Sequence, residues 1–318
     1  MDDILRVENL KKHFVKKRLL GSKILSISAA DDVSFHVKKG EVFVLAGESG
    51  SGKSTIAKMI LGSIMPDQGT IMFDGQDIAT DGDMDKLRIG CQMIHQDPYD
   101  SINPRMKIGD IISEPLEIHG LGDNDERMDR VMEVLHEVKL EPAAEIAQKY
   151  PHMLSGGQRQ RVVLARALAT KPRIILADEP VSMLDVSIRS EMLELMHGLQ
   201  KKHDMAFIYI THDLATARYF GQRIGILYKG MIVEMGMIND VLLKPRHPYT
   251  QALLDAISKP DPQNRLRDKD IRIREPPAGK TSGCRFRNRC PYEIERCSIE
   301  PKLEQTHGHL VACHVDLD

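Results

Sequence analysis

Residues 47–54 read GESGSGKS, which matches the spacing G-x-x-x-x-G-K-[ST]. That spacing builds a loop whose backbone N–H groups turn inward on phosphate oxygens. Its lysine is long enough to reach the β- and γ-phosphates, and its last hydroxyl is placed for Mg²⁺. Gly47, Glu48, Ser49, Gly50, Ser51, Gly52, Lys53, Ser54 and Thr55 are therefore the candidate ATP-binding set, with Ser54 the first candidate magnesium ligand. Three further stretches carry groups that could complete a phosphate chemistry. Asp178-Glu179 ends the apolar run IILA, so one carboxylate can take Mg²⁺ while its neighbour accepts a proton from an attacking water. Gln96 and His212 follow other short apolar runs, where an amide could touch Mg²⁺ and the water and an imidazole could donate to a phosphate oxygen. Each of these three, alone, also reads as an ordinary polar end to a strand.

Those groups need elements to position them. Residues 41–46 are an apolar run suited to a buried strand, and Ile56, Met59, Ile60 and Ile64 follow the loop at helical spacing. The loop therefore sits between a strand and a helix whose positive end faces an anion. Residues 173–177 and 206–211 are continuous apolar runs, as parallel strands covered on both faces require. Alternation from Leu25 to Val37 predicts a strand or hairpin. Asp74-Gly75 and Lys229-Gly230 predict turns, the second between two strands over 224–235. Residues 89–94 predict a short strand. DPYDSINPR at 97–105 predicts a loop, and residues 107–170 predict helices. The last of these begins LSGGQ, with Ser155 as N-cap and two glycines exposing N–H groups to a second anion. The expected fold is α/β: a phosphate-loop nucleotide-binding core with a helical insertion near 97–165. Pro-rich, polar texture after about 240 predicts a boundary, giving units 1–240 and 241–318.

Composition excludes several classes. With 44 Lys and Arg against 46 Asp and Glu, the chain has no global attraction to nucleic acid or anionic lipid. No apolar run reaches the length of a membrane span, and the first ten residues lack a secretory core, which predicts a cytoplasmic chain. Four of the five cysteines, Cys284, Cys290, Cys297 and Cys313, fall in the last 35 residues. In a reducing compartment that crowding favours metal over disulfides. Their spacing, C-x₅-C-x₆-C-x₁₅-C, suits zinc poorly and is not that of bacterial ferredoxins, so spacing leaves the metal open.

Together the phosphate loop, Gln96, LSGGQ at 154–158, Asp178-Glu179, SMLD at 182–185 and His212 closely resemble the ATP-binding cassette family over residues 4–240. The resemblance implies an antiparallel β subdomain and a helical subdomain beside the core. It also implies a head-to-tail dimer in which Ser155, Gly156, Gly157, Gln158 and Asp185 contact ATP held by the partner's loop. Phe14 falls where an aromatic ring stacks on adenine, although a tyrosine is usual there. DPYDSINPRMKIGDIISEPLEIHG, DEPVSMLDVSI and HPYTQALL at 247–254 look like the ATPases of dipeptide and oligopeptide importers, most like the second of their two ATPase subunits. Some members of that group import nickel or oligosaccharides.

The resemblance therefore implies ATP hydrolysis at the cytoplasmic face of a membrane. The implied partners are a second ATPase subunit, two integral-membrane permease subunits and, indirectly, an extracytoplasmic solute-binding protein. It also implies a [4Fe–4S] cluster on the four cysteines, with zinc the alternative, and the nearby arginines 285, 287, 289 and 296 are expected to offset cluster charge. The competing class is a soluble cassette ATPase acting on nucleic acid or ribosomes. No long coiled coil interrupts the cassette, only one cassette is present, and residues 260–318 hold 11 Lys and Arg against 10 Asp and Glu. These features argue for the importer, without nucleic acid as partner.

Overall fold

The computed structural model describes residues 3–16, 25–80, 83–256, 282–306 and 308–317. The strands are β1 (Asp3–Lys16), β2 (Leu25–Lys38), β3 (Val42–Ala46), β4 (Gln68–Phe73), β5 (Gln76–Asp77), β6 (Cys91–Ile94), β7 (Ile174–Asp178), β8 (Ala206–Thr211), β9 (Arg223–Tyr228), β10 (Met231–Met237), β11 (Glu304–Thr306) and β12 (His309–Val311). The helices are α1 (Lys53–Ile60), α2 (Met84–Gly90), α3 (Pro98–Ser101), α4 (Ile108–Ile118), α5 (Asn124–Glu137), α6 (Ala143–Gln148), α7 (Gly156–Ala169), α8 (Val186–His203), α9 (Leu214–Phe220), α10 (Ile238–Leu243) and α11 (Pro248–Asp255).

Among the described residues the strands form two sheets. One is antiparallel, in the order β2-β1-β4-β5. The other has eight strands in the order β11-β12-β10-β9-β3-β8-β7-β6. Neighbours from β9 through β6 run parallel, while β9, β10, β12 and β11 pair antiparallel. β3 is apolar and buried throughout because both of its faces are covered. Its alternate residues enter different cores. Val42, Val44 and Ala46 pack with α4, α5, α7 and α8, while Phe43 and Leu45 pack with β1, β2 and α1. Phe43 stacks on Phe35 of β2 at 4.9 Å, which joins the two sheets.

This is the expected mixed α/β architecture, with a nucleotide-cassette core, an antiparallel sheet and a group of helices. Most local readings hold, but α1 stops at Ile60, short of Ile64, and residues 89 and 90 close α2 rather than open β6. Three other differences have clear causes. β1 has no clean alternation in sequence, because Asn9 takes a left-handed conformation (φ 48°) and the pairing with β2 slips between Val7 and Leu10. The segment DPYDSINPR contains a helical turn, α3, because Asp97 caps it by accepting the Tyr99 N–H at 2.7 Å and Pro98 begins it. Residues 238–255, read as the start of a Pro-rich boundary, form α10 and α11. Pro248 is the first residue of α11, where a missing N–H costs nothing, and His247 caps it by accepting from Tyr249.

Candidate nucleotide site

The carboxyl ends of β3, β7, β8 and β6 lie side by side, since Ala46 pairs with Thr211, Asp178 with Ile210 and Ile94 with Ala177. Loops leaving adjacent parallel strands at one edge make a crevice, the usual ligand position in such sheets. The 47–54 loop leaves β3 and enters α1. Two of its glycines are obligatory. A Cβ on Gly52 (φ 113°) would lie 2.0 Å from the Ala29 carbonyl oxygen, and one on Gly47 would lie 2.2 Å from that of Leu227. α1 has no side-chain cap, so its first N–H groups face the loop interior. Lys53 is buried, and its Nζ donates to the carbonyls of Gly47 (2.8 Å) and Glu48 (2.9 Å). Burial lowers its pKa, partly offset by Glu179, Asp178 and Glu48. Ser51 Oγ is buried without a hydrogen-bond partner. A buried cation with only carbonyl partners and an orphaned hydroxyl suit the phosphates of a nucleotide.

The other groups converge on the same edge. Ser54 Oγ donates to Asp178 Oδ2 at 2.8 Å, which brings the two candidate magnesium ligands together. Burial raises the Asp178 pKa, with the neighbouring Glu179 carboxylate adding to it. Glu179 takes a left-handed backbone conformation (φ 47°) and is fixed by its N–H to the Ile210 carbonyl (2.9 Å). Its carboxylate accepts from Gln96 Nε2 at 3.0 Å and meets His212 Nδ1 at 2.7 Å. Facing a carboxylate, Nδ1 carries the ring proton. The amide of Gln96 is thus directed at Glu179 here.

The LSGGQ segment starts α7 with a capping box. Ser155 Oγ accepts the Gln158 N–H (3.3 Å) and Gln158 Oε1 accepts the Ser155 N–H (3.0 Å). Ser155 and Gln158 are exposed, and a Cβ on Gly156 would meet no atom within 4 Å. Gly157 packs against Ile188 of α8, whose N-cap is the exposed Asp185. Phe14, 41% exposed, pairs with Ile27 on β2, two residues before the Ala29 carbonyl that abuts Gly52.

Two residues touching the loop escaped the sequence reading. Tyr249 Oη accepts the Glu48 N–H at 2.9 Å, and Arg289 forks the Glu48 carboxylate with both bonds at 3.1 Å. HPYTQALL at 247–254 was the signal for Tyr249, while Arg289 stands in the sequence only as a charge beside the cysteines.

The expected metal site is not assembled. Cys284, Cys290 and Cys297 are buried and Cys313 lies within electrostatic reach of all three. Yet among the described residues no group of three or more His, Cys, Asp or Glu is placed to hold a metal ion. Burial pushes the Cys313 thiol up to about 11 and raises that of Cys284. Three of the four arginines expected to balance a cluster are engaged elsewhere. Arg285 pairs with Asp31 and Glu300, Arg287 with Glu293, and Arg289 with Glu48.

Comparison with known proteins places these features. The sequence model of the family described as ABC transporter matches residues 30–182, and that of the oligopeptide/dipeptide transporter C-terminal region matches 233–297. A Brucella ovis protein named as a peptide import ATP-binding protein is 44% identical, over 98% of this chain and 97% of its own. The oligopeptide transport ATP-binding protein AppF of Bacillus subtilis is 38% identical, over 99% and 98%. Among solved structures, the ATP-binding cassette MJ0796, dimeric and bound to ADP and phosphate after hydrolysis, aligns with a TM-score of 0.63 at 30% identity. It covers 74% of this chain and 98% of that one. CbiO1 of Clostridium perfringens, part of the transporter complex cbiONQ, aligns with a TM-score of 0.65 at 27% identity, over 77% and 92%.

Proposed function

Because the chain belongs to the family of ABC transporter ATPases, we propose that it is the ATP-hydrolysing subunit of an importer of di- or oligopeptides. The observation that carries this is identity of 38–44% with peptide-import ATPases over nearly the whole chain, including the region after the cassette. We place that division near residue 240, with 1–240 as cassette and 241–318 as the importer-type extension. The chain works with membrane permeases. The finer assignments are a second, different ATPase subunit, two permease subunits fed by an extracytoplasmic binding protein, and a place on the cytoplasmic face. Among the described residues no helix is long and apolar enough to cross a membrane, so attachment falls to the permeases. Purifying the complex intact and identifying what its binding protein holds tests the cargo. Peptides support the reading; nickel or an oligosaccharide would move the chain to another branch of the group.

The site residues receive the following roles. Phe14 stacks on adenine, and the 47–55 segment with Lys53 cradles the phosphates. Ser54, Asp178 and Gln96 hold Mg²⁺, which when bound would neutralise charge between the β- and γ-phosphates. Glu179 is the general base. In the resting chain its carboxylate is held by Gln96 and His212. For His212 to donate to a γ-phosphate oxygen, its Nδ1–H must turn away from Glu179, and the same turn frees the carboxylate for the water proton. The exposed position of His212 leaves room for that turn. Ser155, Gly156, Gly157, Gln158 and Asp185 face solvent or sit half-buried, so they are available to a nucleotide held by the partner's loop.

The four cysteines remain a proposed site for a [4Fe–4S] cluster, with zinc the alternative. The support is chemical kind and neighbourhood: four thiols in one segment, three of them buried, with Cys313 within electrostatic reach of the other three. Ligation requires the thiols to ionise and draw together. Iron, sulfide and zinc analysis after anaerobic purification checks it. About four irons per chain supports the cluster, and stoichiometric zinc supports the alternative.

A further inference from the structure

We infer that the segment between Cys284 and Cys290, together with Tyr249, is a built-in brace that holds the phosphate loop in its ATP-binding shape. Arg285 and Arg289 are then positioning residues for nucleotide binding. The inference rests on the reading of residues 47–54 as the phosphate loop.

Every polar group of Glu48 is engaged. Its N–H goes to Tyr249 Oη (2.9 Å), its carbonyl accepts from Lys53 Nζ (2.9 Å) and from the Ser51 N–H (3.2 Å), and its carboxylate takes both arms of Arg289. Arginine stays cationic at any ordinary pH, so the charge on that fork is permanent. On the far side of the loop the Gly230 N–H donates to the Ser51 carbonyl at 2.8 Å. Arg285 holds that turn by donating to the Lys229 carbonyl, and holds β2 beside it by pairing with Asp31. The two arginines thus grip the loop from two sides, Arg289 directly and Arg285 through the turn.

Between them Phe286 is 1% exposed and fixes the segment against two rings, Tyr228 at 5.4 Å and Tyr249 at 5.5 Å. Tyr249 is therefore shared between the anchor and the loop. A phosphate loop with glycines at φ 155°, 77° and 113° has many alternative shapes. Apparent affinity falls in proportion to the fraction of chains in the competent shape. A bidentate charged bond that exists only in that shape raises the fraction.

The test uses the full chain, with MgATP binding measured by titration calorimetry and hydrolysis measured in the assembled transporter. Arg289→Ala should raise the Kd and KM for ATP about five- to twentyfold, the range for a well-formed, partly exposed charged bond. Its kcat at saturating ATP should stay within about twofold, since saturation refills the competent shape. Arg289→Lys, which keeps the charge and loses the fork, should fall between. Arg287→Ala breaks the pair with Glu293 in the same segment without touching the loop, and should leave KM unchanged. Wild-type KM in Arg289→Ala would overturn the brace. So would an equal rise in Arg287→Ala, or a fall in kcat at unchanged KM, since both signal general loosening. Lys53→Ala should abolish binding and checks the loop assignment separately; intact binding there would overturn that assignment and the brace with it.

Discussion

Glu179 answers to two side chains from two different strand ends, and that arrangement sets what its substitution should do. Glu179→Gln keeps a side chain able to bond Gln96 and His212 but removes the proton acceptor. ATP binding should persist while hydrolysis falls about 10²–10⁴-fold, the usual weight of a general base. Normal turnover in the assembled transporter would remove Glu179 from that role. His247 gives a prediction of another kind. It is fully buried, which pushes its pKa down to about 3 from the ordinary 6.5. Between those values the unfolded chain binds a proton that the folded chain refuses, so stability is complete above about pH 6.5 and drains away as pH falls toward 3. At pH 5 the loss is on the order of 1–2 kcal/mol. His247→Asn keeps a side chain able to cap α11 and cannot be protonated. Thermal melts should show its disadvantage at pH 7.5 shrinking or reversing at pH 5, and parallel curves would refute the assignment.

Short elements decide how this chain meets its neighbours. α3 offers Tyr99 at 62% exposure, whereas Ser101 is half-buried with its hydroxyl on the Asp97 carbonyl. A cysteine at Tyr99 should therefore crosslink to a permease subunit more readily than one at Ser101. Failure to crosslink from every position between 97 and 110 would show that this segment does not meet the permease. The same element shows what a sequence can tell. Runs such as 42–46, 174–177 and 206–210 announce themselves because a strand covered on both faces must be apolar throughout. The phosphate loop announces itself because each glycine answers a local steric demand. α3 was hidden by the two prolines of its segment, Pro98 and Pro104, and β1 by the slip beyond Val7. The bond between Arg289 and Glu48 joins residues 241 apart, so no local pattern could carry it.

Across the whole molecule, the exposed start of α7 and the solvent-facing Asp185 predict that one chain completes the active site of another. The isolated chain should hydrolyse ATP weakly and gain activity when the proposed second ATPase subunit is added. Ser155→Arg should depress turnover at the site whose phosphate loop belongs to that partner. Brisk hydrolysis by the isolated chain, indifferent to the partner, would contradict this. The sheet at the centre of the molecule carries a further consequence. β12 pairs with β10 through Glu234 and Val311, and the Ala312 N–H donates to the Val233 carbonyl at 2.8 Å. During synthesis β10 emerges long before its neighbour, so the nascent cassette presents an unpaired strand edge until residues 309–312 leave the ribosome. Such an edge invites pairing between chains. A premature stop after Leu303 should therefore leave a protein that aggregates in the cell although its nucleotide site is fully translated. For this chain, safe release depends on a hairpin made long after the strand it covers.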